Sequence, residues 1–110
     1  MIVSTDSHVA GYRIASHLGI VSGNTVRAKH IGRDFGAFLR NIAGGEIRAY
    51  SSLLTEARRE ATARMVEEAQ QLGANGVILV RFSASDVALG AVELYVYGTA
   101  VRMESSAGGD

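Results

Sequence analysis

Cysteine and proline are both absent from this 110-residue chain, and its formal net charge is zero. Without cysteine there is no disulfide, no thiolate metal site, no thiol nucleophile and no dithiol redox motif. Without proline, no strand edge is blocked by a residue that cannot donate its backbone N–H. Eleven basic residues balance eleven acidic ones, which argues against nonspecific binding to nucleic acid or another polyanion. The same balance leaves little repulsion to keep copies apart. No apolar run approaches the ~20 residues needed to span a bilayer. The start, Met1-Ile2-Val3-Ser4-Thr5-Asp6, lacks the basic-then-apolar order of a secretory leader. Together these absences predict a cytoplasmic protein with neither nucleic acid nor membrane as its partner.

What is there suits one folded domain. Apolar residues make up 47% of the chain, ordinary for a globular protein, and this length buries roughly 65% of the unfolded surface. Ile2-Val3 reads as a short strand and residues 6–11 as a polar turn. Residues 12–29 favour strand with weak alternation, interrupted at Gly19 and at Gly23-Asn24. Glycine within a strand marks a bulge or bend, so one long bent strand is expected, with a hairpin at Gly23-Asn24 as the alternative. Asp34 then caps a short helix whose stripe is Phe35, Phe38, Leu39 and Ile42. Gly44-Gly45 ends it. A second helix is predicted over residues 46–72, with a stripe of Tyr50, Leu53, Leu54, Ala57, Ala61, Met65, Ala69 and Leu72. Alanine at several of these positions lets another backbone approach closely. Glu60 and Arg64 are spaced to pair on the polar face, and Gly73 is a strong stop.

Residues 77–82 form a nearly continuous apolar run, expected as a strand covered on both faces. Residues 83–90 read as a loop. In the last strand, residues 91–103, Val92, Leu94 and Val96 share one face while Glu93, Tyr95 and Tyr97 share the other. Residues 104–110 read as a disordered polar tail. The order of elements predicts a small α+β sheet packed on helices. Open strand edges and apolar faces on so small a sheet would be hidden by self-association.

Several landmarks occur in a specific order: Gly19-Ile20-Val21-Ser22-Gly23, Arg33-Asp34-Phe35, Gly44-Gly45, Tyr50, Ala57-Arg58 with Ala61, Leu72-Gly73-Ala74-Asn75-Gly76-Val77 and Tyr97-Gly98-Thr99-Ala100-Val101. In this the chain resembles the YbjQ-like family, small uncharacterised bacterial and archaeal proteins labelled "putative heavy-metal-binding". The resemblance covers residues 1–103 as a single domain. It implies a β-α-α-β-β fold of the dodecin-subunit kind, assembled as a ring-shaped homopentamer.

The chain offers few groups for chemistry. For a metal, Asp6 and His8 are two apart and can face the same way on an extended segment. His17 and His30 complete the histidines, and no helical His-x₃-His pair exists. A soft thiolate site is excluded, although a symmetric ring can build a site from one ligand per subunit. For a small anion, Arg33, Arg40 and Arg48 surround Gly44-Gly45, where open backbone N–H groups begin a helix. Between Arg13 and Arg48 there are six basic and two acidic residues. In the competing reading, Arg33 and Asp34 belong to the helix start and the other arginines are solvated or ion-paired. Arg58 and Glu93 form either an arginine–carboxylate pair across a subunit contact or a ligand-facing pair.

No catalytic constellation is visible. No serine has a histidine–carboxylate pattern around it, and Glu67-Glu68 point in different directions on a helix. The long helix is too acidic for a DNA recognition helix and too mixed in charge for a membrane surface. No cofactor is indicated. The reading is a ring-forming homo-oligomer that binds a small ligand or metal ion, through Arg33, Asp34, Gly44, Gly45, Arg48, Arg58 and Glu93. The alternatives are an interaction ring without a ligand and an enzyme with its site between subunits.

Overall fold

Strands make up just over half of the described residues. The computed structural model describes residues 1–28, 45–88 and 91–106. Its elements are β1 (Ile2–Val3), β2 (Tyr12–Ala28), α1 (Gly45–Gln71), β3 (Gly76–Ala88) and β4 (Ala91–Ser105). The sheet order is β1-β3-β4-β2. β1 runs parallel to β3, and the other neighbours are antiparallel. The architecture is α+β, with one described helix on one face of a four-stranded sheet. The expected short helix over residues 34–44, with its stripe of Phe35, Phe38, Leu39 and Ile42, lies outside the described residues.

β2 is one strand of 17 residues, and no hairpin forms at Gly23-Asn24. Its register against β4 shifts between Ile14 and Ser16 and again between His17 and Gly19. Gly19 has φ +133°, a conformation that side-chain-bearing residues rarely adopt, so a glycine sits at the bulge. Gly23 has a different task. A Cβ built there would lie 2.0 Å from the Ala61 carbonyl oxygen and 2.7 Å from the Met65 amide nitrogen. The helix backbone crosses β2 at this point, and only a missing side chain lets it come so close.

The buried stripe of α1 is Ala57, Ala61, Met65 and Ala69, each fully enclosed. It packs with Val21, Val77, Val80, Val96 and Ala100 as the main core. A smaller cluster of Ile78, Val101 and Met103 gathers Ile2, Val9 and Ile14. Along β4, Val101 and Met103 alternate with Val96 and Ala100, so the two clusters lie on opposite faces of the sheet.

The end of α1 follows from Gly73, whose φ is +84°. The Gly73 N–H donates to the Gln70 carbonyl at 3.0 Å and the Ala74 N–H to the Ala69 carbonyl at 3.1 Å. These are the two hydrogen bonds of a Schellman motif. Asn75 then binds β4 twice: its side-chain NH₂ donates to the Met103 carbonyl at 2.8 Å, and its side-chain oxygen accepts from the Met103 N–H at 2.7 Å.

Four expectations are corrected. Leu72 does not extend the buried stripe; it is exposed, because it sits past the last helical turn. The run over residues 77–82 is covered on both faces only at its start: Val77 and Ile78 are buried in the two opposite clusters, but Leu79 and Phe82 are exposed. The expected loop over 83–90 is mostly strand, since β3 continues to Ala88 and pairs Ser83 with Tyr95, Ala84 with Leu94 and Ser85 with Glu93. Small polar residues there have little strand preference of their own, and the neighbouring strand imposes the conformation. β4 runs to Ser105, two residues into the span expected as tail.

Candidate functional site

α1 runs antiparallel to the second half of β2 and joins it through a polar seam. Glu60 is its centre. The Thr25 hydroxyl donates to Glu60 Oε1, and Arg27 Nη2 donates to Glu60 Oε2 at 2.7 Å. Arg64 Nη2 lies 3.3 Å from Glu60 Oε1, one helical turn away, as the spacing of these residues predicts. Arg27 also approaches Glu56 at 3.9 Å, and its buried Nε has no hydrogen-bond partner among the described residues. The Thr25 hydrogen bond, aided by the charges of Arg27 and Arg64, holds the Glu60 carboxyl below the usual glutamate range, although partial burial opposes it. Glu68 and, again, Arg64 close the edge of β2. The Ser22 N–H donates to Glu68 Oε1 at 2.8 Å, and Arg64 Nη1 donates to the Asn24 carbonyl at 2.6 Å. Among the described residues β2 has β4 as its only strand neighbour, so these bonds satisfy backbone groups that point away from the sheet. This seam is a fastening between helix and strand. Its Glu60–Arg64 half is legible from helical spacing, whereas Thr25 and Arg27 approach only through the fold.

On the other flank of α1, Arg58, Arg59, Thr62 and Ala63 face Phe82 of β3 across an open groove of about 380 Å³. The helix lies mainly over β2 and leaves this part of β3 bare, so Phe82 is 46% exposed. The Thr62 hydroxyl donates to the Arg58 carbonyl at 2.8 Å and is thereby satisfied within the helix. Neither arginine has a carboxylate partner among the described residues.

The sheet face turned away from α1 carries a second surface. Across it run the rows Val26–Glu93–Ser85, Asn24–Tyr95–Ser83 and Ser22–Tyr97–Arg81. Ile20, opposite Thr99 on the same face, is 81% exposed. Val26, Tyr95 and Tyr97 are exposed as well, and the two tyrosine rings sit 5.7 Å apart. The exposed aromatic and aliphatic side chains lie here among Ser22, Asn24, Ser83 and Ser85.

The expected site residues are dispersed. Arg33, Asp34 and Gly44 lie outside the described residues. Gly45 is the first residue of α1, and Arg48 lies on the same helix with its side chain outside the described set. Arg58 and Glu93 are on opposite faces of the sheet, so one chain does not bring them together. An Asp6 carboxylate oxygen accepts from the Ser7 N–H at 2.9 Å, and His8 Nδ1 is 3.1 Å from the Ser7 hydroxyl. Among the described residues, no three histidine, aspartate or glutamate side chains gather as metal ligands, and the chain has no cysteine. The donor set of a single chain, so described, does not fit a heavy-metal centre. No described helix is long and apolar enough to cross a membrane.

A family model described as "Putative heavy-metal-binding" matches residues 1–104. A UPF0145 protein of Hahella chejuensis is 55% identical over 104 residues, covering 94% of this chain and all of that protein. A UPF0145 protein of Thermosipho africanus is 49% identical over 106 residues, covering 96% of this chain and 98% of the relative. One from Thermus thermophilus is 53% identical, covering 94% and 91%. Among solved structures, a DUF74-family protein of unknown function from Pediococcus pentosaceus matches with a TM-score of 0.57. At 18% identity, covering 94% of this chain and 98% of that one, it supports the fold alone.

Proposed function

This chain belongs to the YbjQ-like family, whose members here are UPF0145 proteins, and we propose that it serves as the subunit of a ring-shaped homo-oligomer. By family resemblance the ring is a pentamer of dodecin-like subunits. Its binding site for a small anion or metal ion forms between subunits rather than inside one.

The observation that carries this reading is the open sheet face of Ile20, Val26, Tyr95 and Tyr97. Shape adds to it. The radius of gyration is 18.0 Å and the longest extent is 62 Å. A compact domain of this length has a radius of gyration near 13 Å, about three-quarters of that value. So long and thin a subunit leaves much of its sheet uncovered, and a second copy is the economical cover.

The metal label motivates the binding half of the proposal, and a symmetric ring supplies what one chain lacks, because each subunit can contribute a single ligand. The arginines near Gly44-Gly45 and on α1 favour an anion instead. The second reading, a ring with no ligand that acts as an interaction surface, is favoured by the lack of a three-ligand cluster among the described residues.

Native mass spectrometry of untagged protein tests the reading. The expected result is a species of five times the 11.6 kDa chain mass, with added mass after incubation with zinc, cadmium or inorganic phosphate. A pentamer that gains no mass from any of them overturns the binding half and favours the interaction ring. A monomer at micromolar concentration overturns assembly itself.

A further inference from the structure

We propose that the subunits meet head to tail: the open sheet face around Glu93 of one copy seats in the groove between α1 and β3 of the next, with Arg58 and Arg59 on Glu93. This rests on the ring reading and names its contact.

Charge complementarity selects the occupant. Arg58 and Arg59 line the groove, whose surface is almost wholly apolar, and neither has a carboxylate partner among the described residues. Glu93 is a half-buried carboxylate on the opposite face of the sheet, also without a described partner, set between Val26 and Ser85. An arginine from a second copy can pair with it by a charge-assisted hydrogen bond. The apolar parts match as well. Phe82, Ala63 and Thr62 line the groove, while Tyr95 and Val26 flank Glu93. Aromatic side chains with arginine anchors are the usual make-up of an interface centre.

Geometry then sets the symmetry. Each chain carries one copy of each surface, on opposite faces of its sheet, so no single chain can satisfy both. A contact between two different surfaces is heterologous, and repeated by a closing rotation it gives a ring. A face-to-face dimer would use the tyrosine surface twice and leave the groove empty.

The absence of cysteine makes the test clean. In a Arg58→Cys, Glu93→Cys double variant, the two thiols lie on opposite faces of their own sheet and cannot bridge internally. Mild oxidation of the assembled protein is expected to give covalent species larger than a dimer on a non-reducing gel, with neither single variant cross-linking. A dimer from Glu93→Cys alone overturns the proposal in favour of face-to-face pairing. An intact ring by native mass spectrometry that stays unlinked also overturns it, while leaving the ring reading in place. A wild-type monomer instead fails the ring reading itself.

Should the double cysteine variant fall apart, charge reversal decides. Glu93→Arg is expected to dissociate the ring, and adding Arg58→Glu and Arg59→Glu to restore it. Dissociation without restoration, in variants whose circular dichroism matches the wild type, overturns the pairing.

Discussion

Glu60 stands between a helix and a strand that share no covalent neighbour, and its ionised form is the one they fasten on. The Thr25 hydroxyl and the guanidinium of Arg27 both bind the carboxylate, with Arg64 beside it. Protonation discards the charge that the arginines oppose. Because the carboxyl is held below the usual glutamate range in the folded chain, its contribution to stability is complete above the unfolded value, about 4.3. It is lost as pH falls through the lower folded value. Glu60→Gln is therefore expected to lower the urea midpoint at neutral pH, and the gap from wild type to close in acid below pH 4. A gap that stays constant across the acid range would mean the charge carries none of the effect. Half of this cluster is readable in advance, since Glu60 and Arg64 are one helical turn apart. Thr25 and Arg27 are more than thirty positions away in sequence, and no local rule points to them.

At the scale of elements, the packing of α1 on β2 depends on two unobtrusive residue choices. Alanine at 57, 61 and 69 keeps one face of the helix thin, and glycine at 23 removes the side chain that would stand beneath it. The alanine stripe is legible because it repeats every four residues. Gly23 is not, because a strand glycine reads equally as a bulge, a turn or a close approach, and only the helix backbone lying over it decides which. Gly23→Ala is expected to destabilise the chain by about 3 kcal/mol, the upper range for overpacking a tight contact. The colliding atoms belong to helix backbone and cannot rotate away. Chemical denaturation measures this directly, and a loss under about 0.5 kcal/mol would show that α1 slides along β2 at little cost. The end of α1 was readable for the opposite reason. Gly73 precedes a β-forming run, and the local Schellman geometry needs no distant partner. β3 shows the limit of local reading: Ser83 to Ser85 carry little strand signal, yet their backbones complete the ladder with β4.

The described residues form a long sheet clad unevenly: helix on one face at one end, the β1 side chains and Val9 on the other face at the other end. At about 3.3 Å per residue β2 alone extends roughly 56 Å, longer than the ~40 Å of a 27-residue helix. The helix therefore cannot cover it. What remains bare includes Ile20. Ile20→Lys is expected to leave the fold of each chain within about 0.5 kcal/mol of the wild type, as for other exposed sites, and to weaken association. Sedimentation velocity over a dilution series checks both the mass and its concentration dependence, and an unchanged profile would remove this face from the interface. The chain's own composition and periodicity determined the class of the fold, the long helix and its stop, the two-faced pattern of β4 and the exclusion of thiolate chemistry. Each follows from residue type or from spacing within one element, where neighbours along the chain are neighbours in space. The tertiary structure alone decided that Gly23 lies under the helix, that Thr25 and Arg27 converge on Glu60, and that Arg58 and Glu93 stand on opposite faces. Those relations join residues far apart in sequence, and only the register of the strands and the crossing of the helix fix where they meet.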